Sequence, residues 1–486
     1  MVGRRRTTGD WEAAFRESAR RVADWVADYR ENARRYPVLA TVRPGEVAGR
    51  LAAGPPEDPE PLEAILEDLD RVLLPGITHW NHPGFLAYFS SSSSAPALLA
   101  EFVIAALGVN AMLWHTSPAA TELEERMVDW LRRSVGLPRE YGGVILDTAS
   151  TSSFTAILAA RERTGLEVRA RGLAGRPELP RLTLYVSEQA HSSLEKGAIA
   201  AGLGRAAVRR IPVDAGFRMR VECLERRIAA DREAGCRPIF VGATLGTTST
   251  ASVDPVAEIA EVCARQRVWL HVDAAYAGPA AILPELRHRF TGWEKADSLV
   301  INPHKWMGVP MDCSVLLFRS PEAFRAPLAL TPAYLSAGET GVTNLMDYGL
   351  PLGRRFRALK LWFLFRGYGL AGLRRLLRRH IELAEEFAGR LGADDRWTLP
   401  APPSFSTVCF RAVPPRGSPA DPDELNARIL RHVNRSGAVF LSHTVLRDRY
   451  TLRLSVGNVR TGLAEVSEAY RRLVAAYDAE REETAR

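Results

Sequence analysis

The N-terminal part of the chain carries apolar residues at close to the helical period. These residues are Trp11, Phe15, Val22, Trp25, Val26 and Tyr29. Their spacing predicts an amphipathic helix over residues 10–34, and a second helical pattern lies around residues 62–74. A proline-rich break at 54–59 separates the two patterns. We therefore expect a helical N-terminal arm over residues 1–85.

From Tyr88 onward the pattern changes to short β-branched runs separated by helical stretches. The predicted strands are 143–146, 182–186, 238–243, 268–272, 298–301 and 314–318. The predicted helices between them include 122–135, 152–163 and 255–266. Strands that alternate with helices imply βαβ units and a largely parallel sheet. The pattern therefore predicts a large α/β domain over residues 86–360.

The C-terminal part begins with a long helical pattern over residues 358–391. Prolines end this pattern, and alternating residues then predict strands at 407–410 and 450–455. A final helix is predicted over 463–480. We expect a small α+β domain over residues 361–486.

Composition fits a folded protein of more than one unit. The chain has 486 residues, 46% of them hydrophobic and 25% charged, which exceeds the size at which a single core keeps growing. The 64 basic residues outnumber the 57 acidic ones, for a net charge of +7. Acids are interspersed among the basic residues, which indicates a solvated surface. We expect no nucleic-acid partner.

Membrane, secreted and metal-binding classes are disfavoured. The longest apolar stretch, 102–109, is too short to span a bilayer, and the basic start of the chain leads into no apolar signal core. Five cysteines without C-x-x-C spacing favour a reducing compartment, so we expect a cytoplasmic protein with no membrane partner. His79 and His82 have metal-ligand chemistry, but no third ligand group accompanies them, and we expect no metal site.

Candidate chemistry lies in the turns after predicted strands, where open parallel sheets bind ligands. Asp273 ends one strand, a polar cluster containing Lys305 follows another, and a hydroxyl-rich turn at 148–153 follows a third. The chain has only four lysines, Lys196, Lys295, Lys305 and Lys360. Lys305 is the one in a polar turn directly after a strand. A lysine for a Schiff base, a carboxylate for the ring nitrogen and a turn that can hold a phosphate together suggest pyridoxal phosphate. Taken alone, such a lysine is more often a solvated side chain, and the aspartate and the hydroxyl residues are more often helix caps.

These segments resemble the pyridoxal-phosphate-dependent group II amino-acid decarboxylases, most closely the aromatic L-amino acid decarboxylases. The matching segments include YPVL at 36–39, SPAATELE at 117–124, AHSS at 190–193, ATLGTT at 243–248, HVDAAYAG at 271–278, NPHKW at 302–306 and PLGRRFR at 351–357. The resemblance implies fold type I, the aspartate aminotransferase-like fold. It has a large domain with a mixed, mostly parallel sheet, an N-terminal helical arm and a small C-terminal α+β domain.

The resemblance also implies roles for individual residues. Lys305 is expected to form the Schiff base with pyridoxal phosphate, Asp273 to pair with the pyridinium nitrogen, and His191 to stack on the cofactor ring. Tyr334, in the loop 331–342, is expected to protonate the substrate carbon. The other expected cofactor contacts are Ala149, Ser150, Thr248, Ala275, Asn302 and His304. The expected substrate-binding residues are Trp80, Tyr88, Phe89, Ser90, Asn110, Met112 and Arg354.

The expected assembly is a homodimer with active sites at the subunit interface and the arm exchanged between subunits. The expected reaction is decarboxylation of an L-amino acid, with an aromatic one favoured, to the amine and CO2 through a quinonoid. Two alternatives stay open: oxidative deamination to an aldehyde, and a non-aromatic substrate. Tyr334 and His191 favour the amine product, whereas the polar Asn110 weakens the case for an aromatic substrate. A dimer that binds the cofactor but has lost catalysis is disfavoured, because the sequence retains all four expected catalytic residues: Lys305, Asp273, His191 and Tyr334.

Overall fold

The computed structural model describes residues 11–330, 339, 341–414 and 421–485. The helices are α1 Trp11–Glu31, α2 Leu62–Asp68, α3 Ala95–Leu107, α4 Pro118–Ser134, α5 Ala149–Glu162, α6 Val168–Arg171, α7 Ser192–Ala200, α8 Val221–Glu233, α9 Val256–Gln266, α10 Pro303–Trp306, α11 Pro321–Arg325, α12 Ala358–Gly392, α13 Pro422–Arg435 and α14 Leu463–Ala485. The strands are β1 Gly142–Leu146, β2 Leu182–Ser187, β3 Val208–Ile211, β4 Arg237–Thr244, β5 Trp269–Asp273, β6 Ser298–Ile301, β7 Ser314–Phe318, β8 Trp397–Thr398, β9 Thr407–Ala412, β10 Ser442–Leu446 and β11 Arg449–Ser455.

A mixed, mostly parallel sheet forms the centre of the large domain. Its strands lie in the order β1-β7-β6-β5-β4-β2-β3. Strands β2 to β6 pair in parallel, and β7 is antiparallel to both β6 and β1. All six predicted strands of this domain are confirmed to within two residues. The pattern missed β3, a half-exposed edge strand whose two central arginines hide its apolar period.

Both faces of this sheet are buried. Neighbouring residues of one strand belong to different hydrophobic cores, as Val144 and Ile145 of β1 do, because strand side chains alternate between faces. Helices α5 and α7 supply one core, and α4, α8, α9 and the first half of α12 supply the other. A sheet buried on both sides reads as continuous apolar runs, which is why its strands were predictable.

The small domain has an antiparallel sheet in the order β10-β11-β9-β8. Its core also takes in α13, α14 and the second half of α12, from Leu383 onward. The predicted domain boundary after residue 360 falls in the first turn of α12. α12 is kinked at Gly369, and the segment after the kink serves both domains, because Leu373 and Leu377 pack in a large-domain core and Leu383 packs in the small-domain core.

The N-terminal arm packs loosely on its own chain. Helix α1 has no buried residue, and Trp11 and Phe15 are exposed. The arm is held by the Tyr29 hydroxyl, 2.7 Å from Nδ1 of His79, and by an ion pair between Arg34 and Glu465. Among the described residues, no helix is both long enough and apolar enough to cross a membrane.

Candidate active site

The carboxyl ends of the parallel strands meet at one edge of the large sheet. β1 runs in the same direction as β6, because both are antiparallel to β7. The turns after β1, β2, β4, β5 and β6 therefore open at this edge. These turns bring together the predicted residues Ala149, Ser150, His191, Thr248, Asp273, Ala275, Asn302, His304 and Lys305.

Lys305 lies in the single-turn helix α10, whose N-cap residue is Asn302. Its amine is 5.5 Å from the centroid of the Phe89 ring. Burial lowers the pKa of Lys305 below the usual range of lysine; the Asp273 carboxylate opposes this shift and the Arg453 guanidinium adds to it. A lowered pKa enlarges the population of neutral amine, which is the nucleophilic form.

Asp273 ends β5 and is 6% exposed. Its Oδ1 accepts the N–H of Ala275 at 3.0 Å, and among the described residues Oδ2 has no hydrogen-bond donor. The carboxylate acts on the pKa of both Lys305 and His191, which places the three side chains in one site. Asp273 can therefore hold a protonated ring nitrogen with its second oxygen.

The first turn of α5 forms an anion cradle after β1. Thr148 is the N-cap, and its Oγ1 accepts the N–H of Thr151. The N–H groups of Ala149 and Ser150 have no partner within the helix, because an α-helix leaves its first four donors unpaired. The Asp147 side chain accepts the N–H of Thr148 at 2.7 Å, and its charge partly opposes the fall in the pKa of His304 that burial causes, so the cradle and His304 are neighbours.

Asn302 and His304 form a buried pair beside this cradle. His304 Nδ1 accepts the N–H of Cys313 at 2.9 Å, and burial lowers the pKa of His304 to about 4. The neutral ring therefore carries its proton on Nε2, which lies 3.2 Å from Asn302 Nδ2. Asn302 Oδ1 has no hydrogen-bond partner among the described residues. A half-turn of the amide gives Nε2–H an acceptor and leaves the buried NH2 group as an unpaired donor that suits a phosphate oxygen.

His191 lies at the mouth of the site, where its ring is exposed in the single chain. It caps α7, with Nδ1 accepting the N–H of Ser193 at 3.1 Å. The surrounding protein nevertheless lowers its pKa, with Asp273 opposing the shift and Lys305 adding to it. A neutral ring with a free face is able to stack on a planar cofactor.

Two stacked aromatic rings and a buried arginine lie near the Lys305 amine. Phe89 stacks on Tyr276 with centroids 3.6 Å apart, and Arg453 lies 4.6 Å from the Phe89 centroid. Arg453 donates to the carbonyls of Ser249 and Tyr88, while its Nη2 is buried with no described partner. The sequence analysis missed Arg453. It lies among the apolar residues of the predicted strand 450–455, and a charge in such a strand is a signal that could have found it.

The substrate-lining residues predicted near Phe89 lie at the same mouth. The Tyr88 ring is exposed and packs near Trp80, with centroids 6.0 Å apart. Ser90 is buried, and its Oγ has no hydrogen-bond partner among the described residues. Thr248 precedes Ser249, the residue whose carbonyl holds Arg453.

Asn110, Met112 and Arg354 form a separate group. The Asn110 side chain accepts the backbone N–H of Arg354 at 2.9 Å, and the Met112 carbonyl accepts that of Met346. Within the described residues, no contact joins this group to Lys305. The Arg354 guanidinium instead points into the protein and pairs with buried Glu124 at 2.8 Å.

Tyr334 lies outside the described residues. The segment before its loop is anchored to the large domain, because Arg169 donates to the carbonyls of Ala326 and Ala329. Within the loop, Glu339 pairs with His115 at 2.7 Å.

The donor set fits pyridoxal phosphate. It combines a lysine amine with a lowered pKa, a strand-end carboxylate and a helix N-terminus with unpaired N–H groups. The unpaired half of the Asn302 amide supports the fit, because a buried polar group without a partner is uncommon unless a ligand completes it.

Comparison with known proteins agrees with this geometry. Residues 44–413 match the family model described as the pyridoxal-dependent decarboxylase conserved domain. The chain is 38% identical over 469 residues to tryptophan decarboxylase 2 of Oryza sativa, covering 94% of this chain and 93% of the relative. It is 40% identical over 450 residues to the aromatic-L-amino-acid decarboxylase of Bos taurus, covering 89% and 90%.

Solved structures show the same fold. The crystal structure of Oryza sativa TDC with PLP and tryptamine superposes with a TM-score of 0.92 at 35% identity, covering 96% of this chain and 98% of that one. Rhodiola rosea 4-hydroxyphenylacetaldehyde synthase gives 0.89 at 32%, with the same coverage. The fold is therefore fold type I, and the site is that of a pyridoxal-phosphate enzyme. The chain belongs to the pyridoxal-dependent decarboxylase family and is a PLP-dependent amino-acid decarboxylase.

Proposed function

We propose that this enzyme converts an aromatic L-amino acid into its amine and CO2. The observation that carries the proposal is the Lys305 amine, with its lowered pKa, beside the stacked rings of Phe89 and Tyr276. An aromatic wall next to the reacting lysine suits a flat apolar side chain. Named relatives that act on tryptophan or aromatic amino acids support the same substrate class.

When bound, pyridoxal phosphate supplies the electron sink for the pair left on Cα as CO2 departs. The chain's own residues position the group and control protons. With the group bound, the Lys305 amine would bond its aldehyde carbon, Asp273 Oδ2 would hold a proton on the ring nitrogen, and His191 would cover one face of the ring. The α5 cradle and the Asn302–His304 pair would hold its phosphate.

The direction of the broken bond decides the reaction. A Cα–carboxylate bond perpendicular to the cofactor ring overlaps its π system, so orientation selects CO2 loss over other bond cleavages. Phe89 lies 5.5 Å from the Lys305 amine and Arg453 lies over the Phe89 ring, so these two side chains would restrict how a substrate lies beside the lysine. Tyr334 is proposed to deliver the proton to Cα, as the resemblance implies, and closure of its loop would exclude water.

We also propose that the working unit is a homodimer with each site completed by the partner. Two features support this. Exposed apolar side chains line α3, namely Leu99, Phe102, Val103 and Leu107, and the Asn110–Arg354 group makes no described contact with Lys305 in its own chain. The five cysteines are free thiols, which supports a reducing compartment, and we propose the cytoplasm.

Complementation tests the shared site. Lys305→Ala and Asn110→Trp are each expected to inactivate the homodimer, the second by filling the substrate pocket. Mixing the unfolded variants and refolding them together should restore activity in mixed dimers, because one of the two sites is then free of both changes. Equal inactivity of the mixture, with mixed dimers shown by native mass spectrometry, would rule out a shared site.

Product balance tests the reaction. Purified enzyme saturated with cofactor is incubated with a panel of amino acids, and CO2, amine, aldehyde and peroxide are measured together. We expect amine equal to CO2, with tryptophan, tyrosine or dihydroxyphenylalanine turned over fastest. The likeness to 4-hydroxyphenylacetaldehyde synthase makes aldehyde formation the second candidate. Peroxide and aldehyde equal to CO2 would establish that candidate instead, and turnover of acidic amino acids alone would refute the aromatic substrate.

A further inference from the structure

A basic cleft lies at the edge of the large sheet opposite the active site. Its volume is about 750 Å³, and it lies where β4, β5 and β6 begin and β7 ends. Five cationic side chains line it: Arg163, Arg237, Arg267, Lys295 and Arg319. The floor consists of small and apolar residues, among them Ala260, Ala264 and Leu270.

The carboxylates of the cleft do not neutralise these cations. Only two acids, Glu261 and Asp297, line the same space in the described part of the chain. Asp297 is fully engaged, since Oδ1 pairs with Arg163 at 2.8 Å and Oδ2 accepts the N–H of Leu270 at 2.8 Å. The lining therefore carries a formal excess of three positive charges.

Several donors of the cleft remain available. Arg237 donates one bond, to the carbonyl of Thr164, and Arg319 donates one, to the carbonyl of Glu294. In the part of the chain that the structure describes, the side chains of Arg267 and Lys295 have no hydrogen bond or ion pair. Both of these unpaired cations face the same cleft.

Arg267 is held in an unusual backbone position. It caps α9 at φ +53°, the left-handed region that glycine or asparagine usually occupies. A cation at a helix C-terminus is favoured by the helix dipole, which accounts for part of its placement. The dipole does not account for Lys295, which lies in the turn before β6 and faces the same cleft.

We propose that this cleft is a binding site for a small molecule carrying a diphosphate group. A guanidinium fork matches phosphate oxygens, and the excess of three charges balances the trianion that a diphosphate group forms near neutral pH, whereas orthophosphate carries fewer charges. The volume suits a ligand of nucleotide size, with the diphosphate on the cationic rim and any ring on the apolar floor. The site is independent of the proposed substrate, since it lies at the far edge of the sheet.

Calorimetric titration of the holoenzyme tests the site. Saturating pyridoxal phosphate fills the α5 cradle, so added anions report on other sites. Pyrophosphate, ADP and orthophosphate are titrated at low ionic strength, because salt screens exposed charges. We expect pyrophosphate to bind once per chain and more tightly than orthophosphate. Tighter binding of ADP than of pyrophosphate would identify a nucleotide as the ligand type, and equal binding would identify the diphosphate alone.

The variant pair Arg267→Gln with Lys295→Gln is expected to weaken pyrophosphate binding by about tenfold or more, since hydrogen bonds to charged groups contribute strongly. Arg375→Gln with Arg435→Gln removes the same charge from exposed positions elsewhere and should change the affinity by less than about twofold. Both variants should keep decarboxylase activity, which reports their folding. Absence of saturable binding, or equal weakening in both variants, would overturn the proposal.

Discussion

Replacing Arg354 by methionine removes half of a buried ion pair that caps the edge of the large sheet. β1 is an edge strand, and the N–H and C=O groups of Ile145 that face away from the sheet both bond to this ion pair. Glu124 accepts the Ile145 N–H at 2.8 Å, and Arg354 donates to the Ile145 carbonyl at 2.8 Å. Arg354 also donates to the carbonyl of Ala111, so it ties three segments together.

The expected cost follows from burial. The side chains of Arg354 and Glu124 are 5% and 2% exposed, so the variant leaves a carboxylate buried without its cation. Breaking a buried pair from one side costs about 3–5 kcal/mol. Glu124 keeps the N–H of Ile145, which favours the lower end of that range. The double variant Glu124→Leu with Arg354→Met leaves no buried charge and should cost about 1–3 kcal/mol, mainly from the unpaired Ile145 groups.

Urea unfolding of the holoenzyme at fixed protein and cofactor concentrations measures these differences. KM and cofactor affinity are measured beside them, because Ile145 lies just before the phosphate turn in sequence. We expect lower stability and weaker cofactor binding in the single variant, with partial recovery in the double variant. The sequence analysis placed Arg354 among the substrate-binding residues. A large rise in KM with unchanged stability would support that role and refute a positioning one.

Three further predictions concern buried ionisable side chains: Lys360, His271 and Arg453. Lys360 donates to the carbonyl of Asp312 at 2.6 Å, and the next residue, Cys313, donates its N–H to His304. Lys360→Met should therefore weaken cofactor affinity about tenfold in a fluorescence titration. An unchanged affinity would contradict this link. Burial lowers the pKa of His271 to about 4 in the folded state. As pH falls below about 6.5, His271 is therefore protonated in the unfolded state but stays neutral in the folded state, which favours unfolding. Between pH 7 and 5 that histidine should account for about 2 kcal/mol of lost unfolding free energy, and His271→Asn should abolish that part of the loss; an unchanged pH slope would refute it. Arg453→Met should raise the pKa of Lys305 and move the pH profile of cofactor incorporation into the apoenzyme upward, whereas an unmoved profile would show that Arg453 does not act on the amine.

The sequence predicted what local pattern determines. Strands β5 and β6 are mostly apolar and fully buried, so the local pattern predicts both strands and draws attention to Asp273 at the end of one and Lys305 after the other. The helix expected over 358–391 corresponds to α12, Ala358–Gly392, but the apolar pattern did not show the kink at Gly369 that divides it into two helical segments.

Long-range pairings could not be predicted in the same way. Glu124 and Arg354 are 230 positions apart, and nothing in either local pattern shows that they meet. Arg453 reaches the site from the small domain, in a strand whose role depends on how the two domains pack. The edge strand β3 was missed for a related reason, because its half-exposed residues carry no apolar period.

Identifying the lysine that bonds the cofactor tests the central claim most directly. The holoenzyme is reduced with borohydride, digested, and analysed by mass spectrometry for a phosphopyridoxyl group on lysine. The chain has four lysines, so each candidate can be assigned separately. The account predicts label on Lys305 alone, together with loss of the visible cofactor band in Lys305→Ala. Label on Lys196 or Lys360, or an active Lys305→Ala variant that keeps the band, would contradict it.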